Sequence, residues 1–237
     1  MNRLKGEKAF ITGASKGIGR GIAEAFVKEG AEVIIADIDF VEAEKTAKEI
    51  NATAAKCDVS DEKQVEAALK NKGVTILVNN AGIFPFKQFG DSDYDAVWEK
   101  TMNVNLKGVK NCCKHALASG KLKKIINISS IAAVQGYSGL THYCATKAAV
   151  LGFTRALALE LASKKINVNA VCPGLIDTPG VHVSMNDEGI KEYAKNIPLQ
   201  RAGKPEDIGW ACVFLASKES NFMTGQEIII DGGSSIQ

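Results

Sequence analysis

Short apolar runs and amphipathic stretches alternate along this chain. The runs at residues 33–36, 75–78 and 125–128 are continuous rather than alternating in polarity, which is typical of strands buried on both faces. Between such runs, as at residues 17–29 and 205–216, apolar positions recur at helical spacing. Strands that alternate with helices of about 10 to 15 residues indicate βαβ units and a parallel sheet.

The same pattern gives the order of the elements. Strands are predicted at residues 8–11, 33–36, 53–56, 75–78, 125–128, 166–171 and 227–230. Helices are predicted at residues 17–29, 41–50, 61–73, 93–118, 143–162 and 205–216, the third of them capped by Ser60 or Asp61. Crossovers between parallel strands are right-handed and place helices on both faces of the sheet. We therefore expect an α/β fold, a single-domain doubly wound (Rossmann) parallel sheet of about seven strands.

Residues 175–198 form the irregular stretch of this pattern. Thr178-Pro-Gly180 and Asn186-Asp-Glu-Gly189 interrupt it, and both are turn-forming sequences. The stretch is too polar for the core and too well flanked by regular elements for a domain boundary. We expect one domain over residues 1–237, with a mobile excursion at 175–198 that acts as a substrate lid.

Composition and charge exclude several classes of protein. The chain has 237 residues, a formal net charge of +2, 46% hydrophobic residues and 24% charged residues, as in ordinary globular proteins. The balanced charge argues against nucleic acid or an anionic membrane as a partner. No apolar run approaches the roughly 20 residues that span a bilayer, and we find no signal-peptide pattern. Six cysteines without CxxC or zinc-like spacing suit a reducing cytoplasm, the expected location.

A glycine-rich turn joins the first predicted strand to the first predicted helix. Gly13, Gly17 and Gly19 allow a tight turn and a close approach of the backbone to an anion at the helix N-terminus. This placement indicates a dinucleotide site. The alternative is a purely structural strand-to-helix turn, but three glycines within seven residues exceed what such a turn requires.

Asp37 ends the second predicted strand, 18 positions after Gly19. An acidic side chain about 20 residues beyond the glycines meets the ribose hydroxyls of NAD and repels the 2′-phosphate of NADP. Lys16 favours the opposite choice, since a base in the turn can reach a 2′-phosphate. We weigh Asp37 more heavily and expect NAD. The alternative for Asp37 is a solvated helix N-cap, although Asp39 can serve there instead.

Tyr143, Lys147 and Ser130 are the candidate catalytic residues. Tyr143 and Lys147 are four residues apart in a helical pattern and share one face. A tyrosine with the ordinary pKa of about 10 holds its proton at neutral pH, and we expect the lysine ammonium to lower that pKa. Ser130 follows a strand at the sheet edge where ligands collect. Taken singly, these residues also fit packing, a solvated face and a strand-end cap.

The combination of motifs resembles the short-chain dehydrogenase/reductase family, in its compact single-domain branch. Thr12-Gly-Ala-Ser-Lys-Gly-Ile-Gly19 is similar to its TGxxxGxG motif and Asn79-Asn-Ala-Gly82 to its NNAG motif. Tyr143-Cys-Ala-Thr-Lys147 is similar to YxxxK, with threonine where serine is commoner, and Ser130 precedes Tyr143 at the family's usual distance of 13 residues. The resemblance runs from about Lys5 to Gly233.

The resemblance implies a role for each matching residue. Tyr143 exchanges a proton with the substrate oxygen, Ser130 orients that oxygen, and Lys147 binds the nicotinamide ribose. Asn105 holds a water that links Lys147 to solvent. The residues implied to contact the cofactor are Gly13, Ser15, Lys16, Gly17, Ile18, Gly19, Asp37, Ile38, Asp58, Val59, Asn80, Ala81, Gly82, Tyr143, Lys147, Pro173, Gly174, Ile176 and Thr178. No metal site is expected.

We therefore expect an NAD(P)-dependent oxidoreductase that transfers a hydride between a nicotinamide cofactor, NAD rather than NADP, and a secondary alcohol or ketone. Two alternatives stay open, a 3-oxoacyl-thioester (acyl-carrier-protein) reductase that uses NADPH and a non-catalytic dinucleotide-sensing module. Family membership also implies a homotetramer built on the helices at 93–118 and 143–162, with Trp98, Cys112 and Phe153 on the shared face. Gln135 and Tyr137 are possible substrate ligands.

His142 lies next to Tyr143 in the sequence. Successive residues of a helix point about 100° apart, so we expect His142 in the pocket wall or at the surface rather than as a second acid–base group.

Overall fold

Seven parallel strands form one sheet in the computed structural model, which describes residues 2–236. The strands are β1 (Lys8–Thr12), β2 (Glu32–Asp37), β3 (Thr53–Lys56), β4 (Ile76–Asn79), β5 (Lys124–Ile128), β6 (Asn167–Pro173) and β7 (Glu227–Ile230). Their order in the sheet is β3-β2-β1-β4-β5-β6-β7. The chain runs outward from β1 to β3 and then returns to β4 on the other side, so the predicted doubly wound α/β fold is confirmed.

Helices cover both faces of this sheet. Within the described residues they are α1 (Gly17–Lys28), α2 (Phe40–Ile50), α3 (Glu62–Leu69), α4 (Tyr94–Met102), α5 (Gly108–Leu117), α6 (Thr141–Leu161), α7 (Pro179–His182), α8 (Asp187–Lys195) and α9 (Pro205–Ala216). One core cluster holds Phe26 of α1 and Ile208 of α9. A second holds Val65 of α3, Val109 of α5 and Val150 of α6. The continuous apolar strands are thus buried from both sides, as their sequences predicted.

The parallel register brings the strand ends to one edge of the sheet. Thr12 pairs in register with Ala36, one residue before the end of β2. Asn79 at the end of β4 pairs with Asn127 of β5, and Ile128 at the end of β5 pairs with Val171 of β6. The glycine turn, Asp37, the NNAG segment and Ser130 therefore follow neighbouring strands at one edge.

A π-helical turn interrupts the long helix predicted at 93–118. It spans Asn103–Lys107 and joins α4 to α5. Such turns place an extra residue in the helix and are frequent at functional sites. Asn105 lies inside this turn and is buried. The periodic sequence predicts the helix but does not reveal the irregular turn.

The stretch at 175–198 is more regular than its sequence indicated. Two helices, α7 and α8, lie within it. Thr178 is the N-cap of α7, with Pro179 at the first helical position, and Asn186 is the N-cap of α8, accepting from the backbone N–H of Gly189 at 2.9 Å. The residues interpreted as interruptions are therefore helix starts, because the same polar and proline residues favour both.

Two further details differ from the expectations. Of the two candidate caps for α3, Asp61 accepts from the backbone of Lys63 and Gln64, and the helix ends at Leu69 rather than near 71–73. Cys112, expected on the face shared between subunits, has no exposed surface and packs in the core beneath α5. The position of Cys112 in the helical pattern is compatible with a subunit interface and with the core. The packing of α5 on the sheet places it in the core.

The six cysteines are free thiols, five of them buried. No helix within residues 2–236 is long and apolar enough to cross a membrane. Over the same residues, no group of three or more histidine, cysteine or acidic side chains is placed to hold a metal ion.

Candidate active site

A cavity of about 850 Å³ opens at the carboxyl edge of the sheet. The residues proposed from the sequence that line it are Gly13, Ser15, Lys16, Gly17, Ile18, Asp37, Ile38, Asp58, Val59, Asn80, Ala81, Gly82, Ser130, Tyr143, Lys147, Pro173, Gly174, Ile176 and Thr178. Gly19 and Asn105 are not among the lining residues and lie behind the wall. The structure thus brings together segments that follow six different strands.

The glycine turn leaves no room for side chains. Gly13 has φ +62°, and a Cβ there would lie 2.7 Å from the Cα of Ala81. A Cβ on Gly19 would lie 2.3 Å from the carbonyl oxygen of Gly13 and 2.5 Å from the Nδ2 atom of Asn80. Gly13 therefore shapes the surface of the cavity, whereas Gly19 lets the turn pack against β4.

Asn80 of the NNAG segment fastens this turn. Its Nδ2 donates to the carbonyl oxygens of Thr12 at 3.0 Å and Gly13 at 2.8 Å, and its backbone N–H donates to the Thr12 hydroxyl at 3.0 Å. The same hydroxyl accepts from the backbone N–H of Ala81 at 3.0 Å. The turn after β1 and the loop after β4 are therefore held as one rigid unit.

The N-terminus of α1 fits a dinucleotide pyrophosphate. Within residues 2–236 no side chain caps the first backbone N–H groups of α1, and its first turn has no acidic residue. Ser15, one residue before the N-cap, has a buried hydroxyl with no hydrogen-bond partner in the described chain. Free N–H groups and the helix dipole favour an anion here. The residues present therefore suit the phosphates of a nicotinamide dinucleotide.

Asp37 is held rigidly at the end of β2. Its side chain is buried, with Oδ2 accepting from the backbone N–H of Ser15 at 3.0 Å and Oδ1 from that of Asp39 at 3.0 Å. Asp39 caps α2 by accepting from the backbone of Glu42. Asp37 is therefore not a solvated helix cap, and its carboxylate borders the cavity opposite the exposed Lys16.

Asp58 and Val59 form the next part of the wall, after β3. The Asp58 carboxylate accepts from the backbone N–H of Ser60 at 2.9 Å and from its hydroxyl at 2.7 Å. Val59 packs against α5, where a Cβ on Gly108 would lie 2.7 Å from its Cγ2. Both residues line the cavity with fixed orientations.

Ser130 and Tyr143 place two hydroxyl groups in the same cavity wall. Ser130 lies two residues beyond β5, where its Oγ accepts from the backbone N–H of Ala132 at 3.1 Å. Burial raises the pKa of Tyr143 to about 12, although the hydrogen bond with Ser130 acts in the opposite direction. The prediction that Lys147 lowers the pKa of Tyr143 is therefore wrong, because this pKa is raised.

Lys147 interacts with the backbone of β5 rather than with the phenol oxygen. Its Nζ donates to the carbonyl oxygen of Ile128 at 2.9 Å and lies 5.5 Å from the centroid of the Tyr143 ring. Burial lowers the pKa of this amine to about 8, since a low-dielectric environment disfavours the charged form. For both Tyr143 and Lys147, loss of surrounding water therefore shifts the pKa more than the attraction between phenolate and ammonium does.

Asn105 supports the site from behind. Its Nδ2 donates to the carbonyl oxygen of Ile83 at 2.8 Å, and its Oδ1 accepts from the backbone N–H of the same residue at 2.8 Å. A Cβ on Gly82 would lie 3.3 Å from Asn105 Oδ1 and 3.6 Å from Lys147 Nζ. The π-helical turn therefore places the Asn105 amide next to the lysine without exposing it to the cavity.

His142 is neither in the cavity wall nor at the surface. Its side chain is fully buried, and its Nε2 lies 2.9 Å from the carbonyl oxygen of Pro85. The expectation for His142 is therefore wrong, because a loop after β4 folds over the start of α6 and covers it. Gln135 and Tyr137 are not lining residues either, and the Tyr137 hydroxyl donates to Gln135 Oε1 at 3.1 Å.

Sequence reasoning missed Phe84 in the apolar part of the wall, whereas the predicted lid at 175–198 includes Leu175, Gly180 and Val181. Phe84, Leu175, Gly180 and Val181 all line the cavity. The Phe84 ring lies beside that of Tyr143, with centroids 5.8 Å apart and an interplanar angle of 57°. Its position two residues beyond the NNAG motif is a signal, but no periodicity shows which phenylalanine of that loop faces inward.

Comparisons with known proteins agree with this geometry. Residues 13–235 match a protein-family model described as enoyl-(acyl carrier protein) reductase. The chain is 40% identical over 255 residues to a galactitol 2-dehydrogenase of Agrobacterium fabrum, covering 98% of each chain. It is 39% identical over 247 residues to a 3-oxoacyl-(acyl-carrier-protein) reductase of Thermotoga maritima, again covering 98% of each.

A similar solved structure comes from Beutenbergia cavernae. That protein is described as an NAD(P)-dependent gluconate 5-dehydrogenase and holds NADP at low occupancy. Its TM-score is 0.93 with 32% sequence identity, and the match covers 99% of this chain and 98% of that one.

Proposed function

Because the chain belongs to the short-chain dehydrogenase/reductase family, we propose that this NAD(P)-dependent oxidoreductase interconverts a secondary alcohol and its ketone. The observation that carries the proposal is the Ser130–Tyr143 pair, two hydroxyl side chains in one cavity wall. It lies in the same cavity as the glycine turn and the open N-terminus of α1. A proton-exchanging hydroxyl pair and a dinucleotide site in one cavity support redox chemistry at a carbon–oxygen bond.

The chain's own residues manage the proton and the orientation of the substrate. The nicotinamide cofactor supplies the hydride acceptor, or in the reverse direction the hydride donor. The Ser130 hydroxyl donates a hydrogen bond to the substrate oxygen and holds it next to Tyr143. When the alcohol is oxidised, its carbon would give a hydride to the bound cofactor, its oxygen would pass a proton to the Tyr143 phenolate, and the carbonyl would form.

Lys147 and Asn105 act behind this pair. We assign Lys147 to the nicotinamide ribose, since its amine is held at the cavity wall by the Ile128 carbonyl. Asn105, which borders Lys147 across Gly82, is assigned to a proton route between the lysine and solvent. We propose that the predicted cofactor-contact residues that line the cavity bind the cofactor. Gly19 does not line the cavity and instead lets the turn pack against β4.

We propose NAD as the preferred cofactor. Asp37 is anchored by two backbone N–H groups, so its carboxylate cannot move away from a 2′-phosphate without breaking these bonds. Lys16 is exposed and flexible by comparison. The repulsion from a fixed carboxylate supports NAD, although the Beutenbergia cavernae structure holds NADP. An NAD preference fits oxidation of the alcohol.

A 3-oxoacyl-thioester reductase that uses NADPH is the second candidate, favoured by the relative from Thermotoga maritima. Such an enzyme binds an acidic carrier protein through free basic groups. Around the lid, Arg201 is paired with both carboxylate oxygens of Asp207, and Lys195 is paired with Glu192. These two pairings support the alcohol dehydrogenase over the carrier-protein reductase, whereas Lys191 of α8 is exposed and has no ion pair among the described residues.

The assembly and the location of the enzyme are two further proposals. We propose a homotetramer built on α4, α5 and α6, as predicted. Of the expected face residues, Trp98 and Phe153 are half-buried, whereas Cys112 lies in the core. Light scattering tests the tetramer, since a mass near 25.2 kDa would contradict it. Free thiols suit the reducing cytoplasm, and imaging of the fluorescently tagged protein checks that location.

A substrate panel with both cofactors tests the function. NADH or NADPH absorbance is followed with secondary alcohols, ketones and a 3-oxoacyl thioester. We expect Tyr143→Phe to lower kcat by about a hundredfold or more, the usual contribution of an acid–base group, while NAD affinity changes only a few-fold. Unchanged activity in this variant would remove Tyr143 from the chemistry. NAD binding without turnover of any substrate would instead indicate the dinucleotide sensor.

A further inference from the structure

Beside the Ser130–Tyr143 pair the cavity wall contains a phenyl ring. Phe84 contacts Tyr143 on one side, with ring centroids 5.8 Å apart. On the other side it reaches α7, where a Cβ on Gly180 would lie 3.4 Å from the Phe84 Cζ. Leu175 and Val181, from the segment that carries Gly180, line the same cavity. An apolar surface thus extends from the reacting hydroxyl to the lid.

The charged side chains that line the cavity lie elsewhere. Lys16, Asp37 and Asp58 follow β1, β2 and β3, on the side of the sheet assigned to the adenosine half of the cofactor. Lys147 is buried and bonded to the backbone of β5. Lys100 is exposed on α4. Among the described residues that line the cavity, no charged side chain belongs to the loop of Phe84 or to the lid.

Thr178 is the polar residue of the lid that lines the cavity, and its hydroxyl accepts from the backbone N–H of Val181. Other polar side chains near the lid are bonded to one another and do not line the cavity: Tyr137 donates to Gln135. His182 Nε2 lies 2.7 Å from Asp177 Oδ1. A polyol bound at Tyr143 would therefore lose water from its flanking hydroxyl groups without gaining new hydrogen bonds, which is unfavourable. An apolar group gains from burial against Phe84.

We propose that the substrate is a secondary alcohol, or its ketone, with an apolar aryl or alkyl group beside the carbinol carbon, and that Phe84 determines this specificity. The inference rests on the proposed function and narrows its substrate class. It excludes polyols as the preferred substrates, although a galactitol 2-dehydrogenase is among the relatives.

The chain holds Phe84 in place through both of its neighbours. The backbone of Ile83 is bonded to the Asn105 amide through both its N–H and its carbonyl oxygen. The carbonyl oxygen of Pro85 is bonded to the buried His142, at 2.9 Å from Nε2. His142 is therefore a positioning residue, which keeps the phenyl ring against Tyr143 without touching the cavity itself.

The first test compares wild-type kcat/KM for 1-phenylethanol and galactitol with NAD. We expect the aryl alcohol to be preferred by about a hundredfold or more, as in pockets that leave substrate hydroxyls unpaired. Equal or higher kcat/KM for galactitol would overturn the substrate class while the proposed function stands. No turnover of any alcohol or ketone with either cofactor would overturn both.

The second test is Phe84→Ala, with Phe89→Ala as the matched control. Phe89 is in the same loop, is 73% exposed and does not line the cavity. We expect Phe84→Ala to lower kcat/KM for 1-phenylethanol by about ten- to hundredfold, mainly through KM, because a buried apolar contact is lost. For isopropanol, which is too small to cover the ring, the change stays within about threefold.

Two results would contradict the role of Phe84. An unchanged kcat/KM for 1-phenylethanol in Phe84→Ala would show that the ring does not contact the substrate. An equal loss for isopropanol and 1-phenylethanol would show a structural role instead of specificity. The Phe89→Ala values are expected to stay within about twofold of wild type, as for exposed residues.

His142 is tested by the same pair of substrates. His142→Leu removes the donor to Pro85, so KM for 1-phenylethanol is expected to rise while kcat for isopropanol changes little. His142→Gln retains an N–H donor and is expected to recover most of the wild-type KM. A loss of kcat for both substrates that His142→Gln does not recover would contradict the positioning role.

Discussion

Burial and hydrogen bonding act in opposite directions on the pKa of the Tyr143 hydroxyl. Loss of water raises its pKa to about 12, while the hydrogen bond with Ser130 lowers it in part. Lys147 adds little because its own pKa is lowered to about 8 by burial and its Nζ is bonded to the Ile128 carbonyl. The hydroxyl therefore keeps its proton at neutral pH, which prepares it to donate to a ketone. Alcohol oxidation needs the phenolate and is favoured as the pH rises.

A spectrophotometric titration tests this residue directly. The absorbance difference between wild type and Tyr143→Phe isolates the phenolate of Tyr143. Because the pKa is raised to about 12, we expect no phenolate signal from Tyr143 below about pH 10. A complete signal below about pH 9 would show that Lys147 outweighs burial. The same titration with NAD measures how far the cationic nicotinamide ring lowers this pKa.

At the scale of elements, close packing of helices holds the cofactor turn. Helix α1, which follows the glycine turn, crosses α9 at two glycines. A Cβ on Gly21 would lie 2.5 Å from the Cβ of Pro205, and one on Gly209 would lie 2.7 Å from the carbonyl oxygen of Gly21. The backbones therefore touch directly, and α1 cannot shift without α9.

Gly21→Ala tests this contact. The added methyl group overlaps the backbone of Pro205, so we expect the free energy of unfolding to fall by about 1 to 3 kcal/mol, as for overpacked sites. Gly90→Ala is the control, because a Cβ on Gly90 meets no atom within 4 Å among the described residues and is expected to change stability by less than about 0.5 kcal/mol. Chemical denaturation measures both, and equal stability of the two variants would show that the helices adjust.

At the scale of the whole molecule, the Tm measured with each cofactor shows which cofactor the protein binds more tightly. A ligand that binds only the folded state raises Tm, and the shift grows with the logarithm of its concentration divided by its Kd. We expect NAD to raise Tm more than NADP at equal concentration, because the Asp37 carboxylate repels a 2′-phosphate. Differential scanning fluorimetry measures both shifts.

Asp37→Asn is the matched variant for this experiment. The amide keeps the shape of the side chain and removes its charge. We therefore expect a smaller difference between the Tm shift with NAD and the Tm shift with NADP. Each shift is taken relative to the variant without ligand, since Asp37 also accepts two backbone hydrogen bonds. A larger shift with NADP in wild type would mean that Lys16 outweighs Asp37.

Local patterns account for most of the fold. The predicted strand at 53–56 and helix at 205–216 coincide with β3 and α9, because hydrophobic periodicity and cap residues depend on neighbours along the chain. The π-helical turn at Asn103–Lys107 and the helices α7 and α8 were not predicted. Each depends on contacts with distant segments, such as the bonds between Asn105 and Ile83.

The sequence by itself determined the parallel α/β class, the order of its elements and the positions of the glycine turn, Asp37 and the Tyr143–Lys147 spacing. These features follow from periodicity and short-range geometry. Only the tertiary structure decided that Phe84 faces the cavity, that His142 is buried and that Tyr143 has a raised pKa. Burial and solvent exclusion arise from segments far apart in the chain, so a local pattern cannot specify them.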